Sequence, residues 1–201
     1  MIGVRVVPWD LTEEALRLLH RTKADFASLP NAPRTKGRNG SPAASPRWGS
    51  YDFDQVRAQS EYLRVVSIVE AYVDSISEVM FDRRTVGMDI FYARLAGAVF
   101  DRSTLSWHGR KETFELHHGF KLQDCASWAV VDRAIEVRNS IAHGLGNLTR
   151  LQKTGKSDKA KVQMAKVRLR EDRLIITSEA RKHCFDASVE FIRSLDAKLP
   201  R

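Results

Sequence analysis

Cysteine is scarce in this chain, since only Cys125 and Cys184 occur among its 201 residues. They lie in separate helical patterns, so the sequence lacks a disulfide framework, and a reducing cytoplasm is the expected compartment. Long apolar runs are also missing. No run approaches the ~18 residues of a membrane span, and the N-terminus lacks the apolar core of a signal peptide. We therefore expect a cytoplasmic protein with no membrane partner.

Acidic residues are outnumbered. The chain has 25 Asp+Glu against 33 Lys+Arg, which gives a formal net charge of +8. Such an excess favours an anionic partner, and nucleic acid is the commonest one. A basic protein that binds no nucleic acid can carry the same charge, so the charge alone does not show whether this protein binds nucleic acid. The length suits a single domain, 1–201, with room for a core.

Apolar side chains recur with helical spacing in most of the chain. The strongest pattern predicts a central helix over Asp54–Phe81, with spacings of four and three along one face. That face consists of Tyr62, Val66, Val69, Val73, Ile76 and Met80. Further helices are predicted at Thr12–Ser28, Val86–Phe100, Leu122–Ala142 and Ser178–Leu199. The first is expected to open with capping-box spacing at Asp10 and Glu13.

Two other patterns complete the expected architecture. Apolar and basic residues alternate over residues 167–176 around a turn-like centre, which predicts a β-hairpin with one apolar and one basic face. The expected fold class is mainly α, a helical bundle of four to five helices with one small β-hairpin near the C-terminus. Residues 1–7 predict a short strand or extended arm. The Pro/Gly-rich residues 30–50 predict a mobile basic loop.

The helix predicted over Leu122–Ala142 ends in an unusual stretch. Arg138 takes a position on the face that the pattern reserves for core residues, together with Val131, Ile135 and Ala142. His143 follows five residues later at the helix end, and Gly144 and Gly146 supply the usual stop. Each residue alone has an ordinary structural explanation: a helix-end histidine complements the dipole, and a buried arginine pairs with an acid.

Together, Arg138, Asn139 and His143 form the pattern Arg-Asn-x-x-x-His, which resembles the signature of the HEPN family of helical ribonucleases. The resemblance covers roughly residue 54 to the C-terminus. It is nearest to the HEPN branch that accompanies RNA-processing and toxin-like systems. It implies catalytic roles for Arg138, His143 and Asn139, products with 2′,3′-cyclic phosphate and 5′-hydroxyl ends, and a composite site at a homodimer interface.

The residue types fit that chemistry independently. Histidine can act as base or acid near neutral pH, and arginine offers a fork of donors to phosphate oxygens. Five residues on an ideal helix turn by about 140°, so Arg138 and His143 do not share a face unless the helix end unwinds. One histidine also cannot be base and acid in one step. Two copies meeting across a two-fold axis resolve both problems. Asn139 then positions phosphate or His143, or is simply a polar residue at a helix end.

Glu70 is a supporting candidate, because it flanks the buried face of the central helix. An acid there is costly unless it is paired, and Arg138 is the natural partner. An exposed Glu70 is the alternative.

Four basic residues are candidates for RNA contact. Lys166, Arg168 and Arg170 lie on the basic side of the predicted hairpin. This side is interpreted equally well as a surface that contacts RNA phosphates and as an ordinary solvated face. Arg110 lies near Trp107 in the least readable segment, 101–120. One interpretation is a loop near the active site, in which both residues are available to RNA. Ordinary packing of Trp107 is the interpretation that we favour.

His108, His117 and His118 raise the question of a metal. Their spacing matches no zinc motif, so we expect neither a metal nor another cofactor.

The sequence thus predicts a metal-independent endoribonuclease that acts as a toxin or as a defence or stress effector. An antitoxin or other regulatory protein is a possible partner. Two other classes stay open. One is a HEPN-like module that binds RNA or nucleotides without catalysis and acts through a partner, and the other is a basic helical protein that binds nucleic acid structurally.

Overall fold

The structure, a computed structural model, describes residues 8–29 and 52–200. Within these ranges the chain forms eight α-helices and one two-stranded hairpin. The helices are α1 (Pro8–Ser28), α2 (Phe53–Thr85), α3 (Ile90–Ser103), α4 (Trp107–Thr113), α5 (Trp128–Gly144), α6 (Arg150–Thr154), α7 (Lys156–Met164) and α8 (Ser178–Asp196), and the strands are β1 (Arg168–Arg170) and β2 (Arg173–Ile175). The predicted mainly α fold class with a small β-hairpin near the C-terminus is confirmed. Five of the described helices have 14 residues or more.

The chain divides into two compact units. The first unit comprises Met1–Leu18, Ser67–Trp128 and Val189–Arg201, and the second comprises Leu19–Val66 and Ala129–Ser188. The single domain predicted for residues 1–201 stays a prediction. The strand or arm predicted for residues 1–7 and the mobile loop predicted for residues 30–50 both lie outside the described residues.

Helix α2 is the central helix that the sequence predicts, and it extends to Thr85, four residues beyond the expected end. Every residue of its predicted apolar face is buried. Within the first unit, a hydrogen bond also holds Tyr72 in place, because its hydroxyl lies 2.9 Å from the Oγ1 of Thr12. Thr12 in turn donates to Asp196 Oδ1 at 2.7 Å. These two bonds join α1, α2 and α8 through one buried hydroxyl.

Helix α1 begins four residues earlier than predicted, at Pro8. Proline is well suited to a first helical turn, because its φ is already helical and its missing N–H would have no partner there. Asp10 consequently lies within the first turn, and the capping box predicted from Asp10 and Glu13 was wrong. The predicted end at Ser28 is confirmed.

Helix α3 covers Ile90–Ser103, later than the predicted Val86–Phe100. The left-handed Gly87, at φ +79°, separates it from α2. Asp89 then caps α3 by accepting the Phe91 N–H at 2.8 Å. Among the fourteen described residues of α3, Ser103 is the buried one. Among residues 8–29 and 52–200, the apolar side chains of this segment are therefore half-buried, as Phe100 is against Phe81, or exposed.

The helix predicted over Leu122–Ala142 does not begin at Leu122, and this prediction was wrong. A 3₁₀ turn covers Leu122–Asp124, and α5 starts at Trp128. Ser127 adopts a left-handed φ of +58°, which a continuous helix cannot accommodate. The Ala126 N–H donates to Ser194 Oγ at 2.8 Å, so this break is fixed by a bond within the first unit.

The predicted hairpin is confirmed within the second unit. Strands β1 and β2 are antiparallel, with Leu169 opposite Leu174 and Arg170 opposite Arg173. Leu174 is fully buried, whereas Arg168 and Arg170 are exposed, as the alternating pattern requires. The final helix, α8, ends at Asp196, three residues before the predicted Leu199.

Candidate functional site

Arg138, Asn139 and His143 all lie on the C-terminal half of α5, in the second unit. Arg138 and Asn139 are half-buried and His143 is exposed. Arg138 Nη1 donates to Asn139 Oδ1 at 3.2 Å, so the structure brings these two side chains together. Asn139 thereby restrains the guanidinium that the sequence assigns to phosphate binding.

The buried face of α5 differs slightly from the predicted one. Val131 and Ile135 are buried as expected, but Ala142 is exposed, so its assignment to the core face was wrong. The fully buried Ser140 holds the inner position in the last part of the helix instead.

The end of α5 decides how Arg138 and His143 can cooperate. The backbone stays helical through Gly144, so the helix does not unwind between the two residues. A separation of five residues then corresponds to about 7.5 Å along the axis and about 140° around it. Within one chain, the two side chains therefore leave α5 in different directions.

The helix stop is formed by Leu145 and Gly146 rather than by Gly144. Leu145 has φ +50° and Gly146 has φ +84°, and the Gly146 N–H donates to the Ser140 carbonyl at 3.1 Å. Gly146 also packs closely on another side chain. A Cβ added at this position would lie 2.5 Å from Gln59 Nε2. The backbone conformation therefore favours glycine here, and a Cβ would also force the Gln59 side chain to shift.

Gln152, which the sequence analysis overlooked, anchors the same part of α5. Its Oε1 accepts from Ser140 Oγ at 2.7 Å and from the Thr149 N–H at 3.0 Å. Its Nε2 donates to the carbonyl and to Oε2 of Glu136, at 2.8 and 3.1 Å. Thr149 and Gln152 also form a capping box at the start of α6. The spacing Thr-x-x-Gln is a recognisable signal, so the sequence could have revealed this pair.

The basic hairpin is joined directly to the loop that follows α5. The Leu174 N–H donates to the Gly146 carbonyl, and the Leu148 N–H donates to the Asp172 carbonyl, both at 2.8 Å. Asn147 forms an isolated antiparallel bridge with Arg173. The residues just after His143 thus act as a third, irregular strand beside β2.

The predicted RNA-contact residues of the hairpin differ in their surroundings. Arg168 and Arg170 are exposed on β1. Lys166 is also exposed, but its Nζ lies 3.0 Å from Glu179 Oε1. Arg173, which the sequence analysis did not single out, faces Arg170 across the hairpin and adds a further positive charge to this side.

Glu70 and Arg110 both lie in the first unit. Glu70 accepts a hydrogen bond from Trp107 Nε1 at 2.8 Å. Arg110 is buried, and its Nε and Nη2 donate to the two oxygens of Asp74, each at 2.8 Å. Its guanidinium also lies 5.3 Å from the centre of the Trp107 ring. Segment 101–120 is accordingly a packed helical region containing α4, and the loop predicted there was wrong.

Two expectations from the sequence stay predictions, namely the Glu70–Arg138 pair and RNA contact by Arg110. The arrangement around Arg110 is that of a bidentate ion pair, which fixes α4 on α2.

The histidines of segment 101–120 have separate environments. His108 Nε2 lies 3.3 Å from Glu112 Oε1 on the surface of α4. His118 is buried, and its Nε2 lies 2.8 Å from Ser77 Oγ. Its ring packs against Phe81 and Phe114. Burial lowers the pKa of His118 to about 4, so the imidazole is neutral at pH 7.

Residues 8–29 and 52–200 contain no group of three or more His, Cys, Asp or Glu side chains that could hold a metal ion. Both cysteines are buried and free. Burial raises the pKa of Cys184 to about 12, which keeps this thiol protonated and unreactive.

The second unit also contains an open cleft of about 510 Å³ between α1, α2 and α8. Lys23, Arg57, Arg181 and Lys182 contribute positive charge to its lining. Much of this charge is already engaged: Arg181 pairs with Glu61 at 2.5 Å, and Lys182 pairs with Asp186 at 2.6 Å. The Lys23 ammonium lies over a phenylalanine ring of α8.

The chain matches no protein-family model, and neither a curated protein nor a solved structure matches it. Within the part of the chain that the structure describes, no helix is both long and apolar enough to span a bilayer.

Proposed function

We propose that this chain is a metal-independent endoribonuclease of the HEPN type, with Arg138 and His143 as its catalytic residues. The observation that carries the proposal is the continuous helix through Gly144, which presents an exposed histidine five residues after a restrained, half-buried arginine. These are the two residue types that cleavage of RNA by its own 2′-hydroxyl needs.

The proposed reaction balances without a metal. A base removes the proton of the 2′-hydroxyl, and the resulting oxygen attacks the adjacent phosphorus. The bond from phosphorus to the 5′-oxygen breaks, and an acid donates a proton to that oxygen. The products are a 2′,3′-cyclic phosphate and a 5′-hydroxyl. Arg138 would stabilise the extra negative charge on the phosphorane oxygens, because its fork of donors matches their geometry.

A single chain is a poor candidate for the whole site. Arg138 and His143 leave α5 about 140° apart, and one histidine cannot act as base and acid in the same step. We therefore propose a homodimer in which each composite site takes a histidine from each chain. Asn139 would act as a positioning residue, because its Oδ1 already accepts from Arg138.

RNA would approach along the basic hairpin. Arg168 and Arg170 are exposed, and β2 is hydrogen-bonded to the loop that follows His143. Phosphate contacts from such residues position a nucleic acid without reading its sequence. Because this feature does not depend on His143, it also favours the second candidate function, a non-catalytic HEPN-like module that binds RNA and acts through a partner.

The cellular role is proposed from the family resemblance. We propose a cytoplasmic toxin or a defence or stress effector, whose activity an antitoxin or another regulatory protein would restrain.

The test is cleavage of bulk RNA by purified protein in the presence of EDTA, followed by analysis of the product ends. We expect cleavage with cyclic phosphate and 5′-hydroxyl ends. Products with 3′-hydroxyl ends, or activity abolished by EDTA, would overturn the mechanism. RNA binding without cleavage would favour the non-catalytic module.

A further inference from the structure

The outer surface of α3 is far more apolar than a solvated helix should be. Six large apolar side chains on α3 and in the turn before it are each between 53% and 72% exposed. They are Val86, Met88, Ile90, Phe91, Tyr92 and Leu95. Leu105, just after the helix, is 82% exposed. Contiguous apolar patches of this kind usually mark an interaction surface.

One partner helix can cover only part of this exposed surface. Phe91 and Leu95 leave α3 about 40° apart, whereas Tyr92 lies about 160° from Ile90 and does not share a face with it. The row that contains Phe91 and Leu95 is therefore the surface available to a partner helix.

The outward side chains of α3 form two neighbouring rows. Phe91, Leu95 and Ala98 recur at spacings of four and three and form an apolar row. The adjacent row contains Arg94 and Asp101, seven residues apart and both exposed. The positive charge of Arg94 and the negative charge of Asp101 thus lie at opposite ends of this row.

We propose that α3 packs against α3 of a second copy of this chain, antiparallel and around a two-fold axis between Gly97 and Ala98. We choose a second copy as the partner because the row that contains Arg94 and Asp101 is complementary in charge to itself when it is reversed. In this register Arg94 faces the partner's Asp101, and the same pair recurs on the other side of the axis.

This inference goes beyond the proposed function and does not depend on it, because α3 lies in the first unit and Arg138 and His143 lie in the second. The dimer itself can be measured without any RNA, so the two proposals fail separately. A wild-type dimer that does not cut RNA would leave the α3 interface standing and remove the ribonuclease.

The first experiment compares Leu95→Glu with Leu151→Glu by light scattering after gel filtration. Leu151 is 78% exposed on α6, so it is a matched control outside the patch. We expect twice the 22.8 kDa chain mass for the wild type and for Leu151→Glu. Leu95→Glu should raise the dimer dissociation constant by at least ~30-fold. A monomeric wild type, or a Leu95→Glu dimer of unchanged affinity, would overturn the proposal.

Charge exchange tests the register. Arg94→Asp and Asp101→Arg should each weaken the homodimer by placing like charges opposite each other. Mixed together, the two variants should form a heterodimer, because both of its pairs are again of opposite sign. If the mixture associates no better than either variant alone, the antiparallel register is wrong.

Discussion

Ser140 on α5 and Gln152 on α6 share a buried hydrogen bond, with 2.7 Å between the serine Oγ and the amide Oε1. The two donors and two acceptor positions of the Gln152 amide all have partners, in Ser140, Thr149 and Glu136. Ser140 lies between Arg138 and His143 in sequence. This bond therefore fixes the part of α5 on which the proposed catalysis depends.

Replacing Gln152 should destabilise the protein. Gln152→Ala removes the acceptor of the Thr149 N–H and leaves the Ser140 hydroxyl with only the Glu136 carbonyl at 3.1 Å. Loss of the buried acceptor costs about 1–3 kcal/mol in free energy of unfolding. The exposed Gln163 on α7 offers a matched control, and Gln163→Ala should change stability by less than ~0.5 kcal/mol. Urea denaturation of both variants measures the difference. Equal stability of the two variants would contradict the anchoring role.

Replacing His143 should remove cleavage and leave the fold intact. His143→Ala should reduce the rate at least ~100-fold, the low end for loss of a general acid or base. Its melting temperature should match the wild type, because the side chain is exposed. Arg138→Ala should lose cleavage as well, with some loss of stability because Arg138 is half-buried. His108→Ala, at another exposed histidine, is the control, and normal turnover by His143→Ala would refute the site assignment.

The arginines of the hairpin should contribute to RNA affinity through charge. In a His143→Ala background, Arg168→Gln and Arg170→Gln should each weaken RNA binding and reduce the slope of log K against log salt by about 1. Lys182→Gln removes the same charge from α8, where Lys182 pairs with Asp186, and should change the slope less. Fluorescence anisotropy over a salt series measures these slopes. Three identical slopes would show that the hairpin has no special role.

His118 should make stability depend on pH between about 4 and 6.5. Burial lowers its folded-state pKa to about 4, so in this range the unfolded chain binds more protons than the folded chain. The stabilisation is complete above the unfolded pKa and is lost as the pH falls toward 4. Denaturation at pH 4.5 and pH 7 should show this slope in the wild type.

The matched variants for this test are His118→Asn and Ser77→Ala. His118→Asn removes the titrating group and should flatten the slope. Ser77→Ala removes the partner of His118 Nε2 but keeps the imidazole, so the slope should persist at lower overall stability. A wild-type slope that survives in His118→Asn would assign the pH dependence to other groups.

The sequence predicted the fold well where periodicity and burial agree. The apolar row of α2 is buried, and in the hairpin Leu174 is buried and Leu169 half-buried beside exposed arginines, so both elements form as expected. The start of α5 could not be predicted, because the break depends on the left-handed Ser127 and on a bond to Ser194, which is distant in sequence. For α3 the periodicity was read correctly as helical, but a helical pattern does not say what the apolar face contacts.

The candidate site was predictable to the same extent. Residue types and spacing select Arg138, Asn139 and His143, but not the bond between Arg138 and Asn139. They also do not reveal that Gly146 packs on Gln59, since these residues lie far apart in the chain. Contacts of this kind depend on tertiary structure, which local pattern does not encode.

The most direct test of the central claim is a subunit-mixing curve. Wild-type and His143→Ala chains are co-expressed with different tags over a range of ratios, and cleavage is measured at constant total protein. If each site takes a histidine from both chains, only dimers of two wild-type chains are active, so an equal mixture retains about one quarter of the wild-type activity. If each chain cuts alone, activity follows the wild-type fraction and an equal mixture retains about half, which would contradict the composite site.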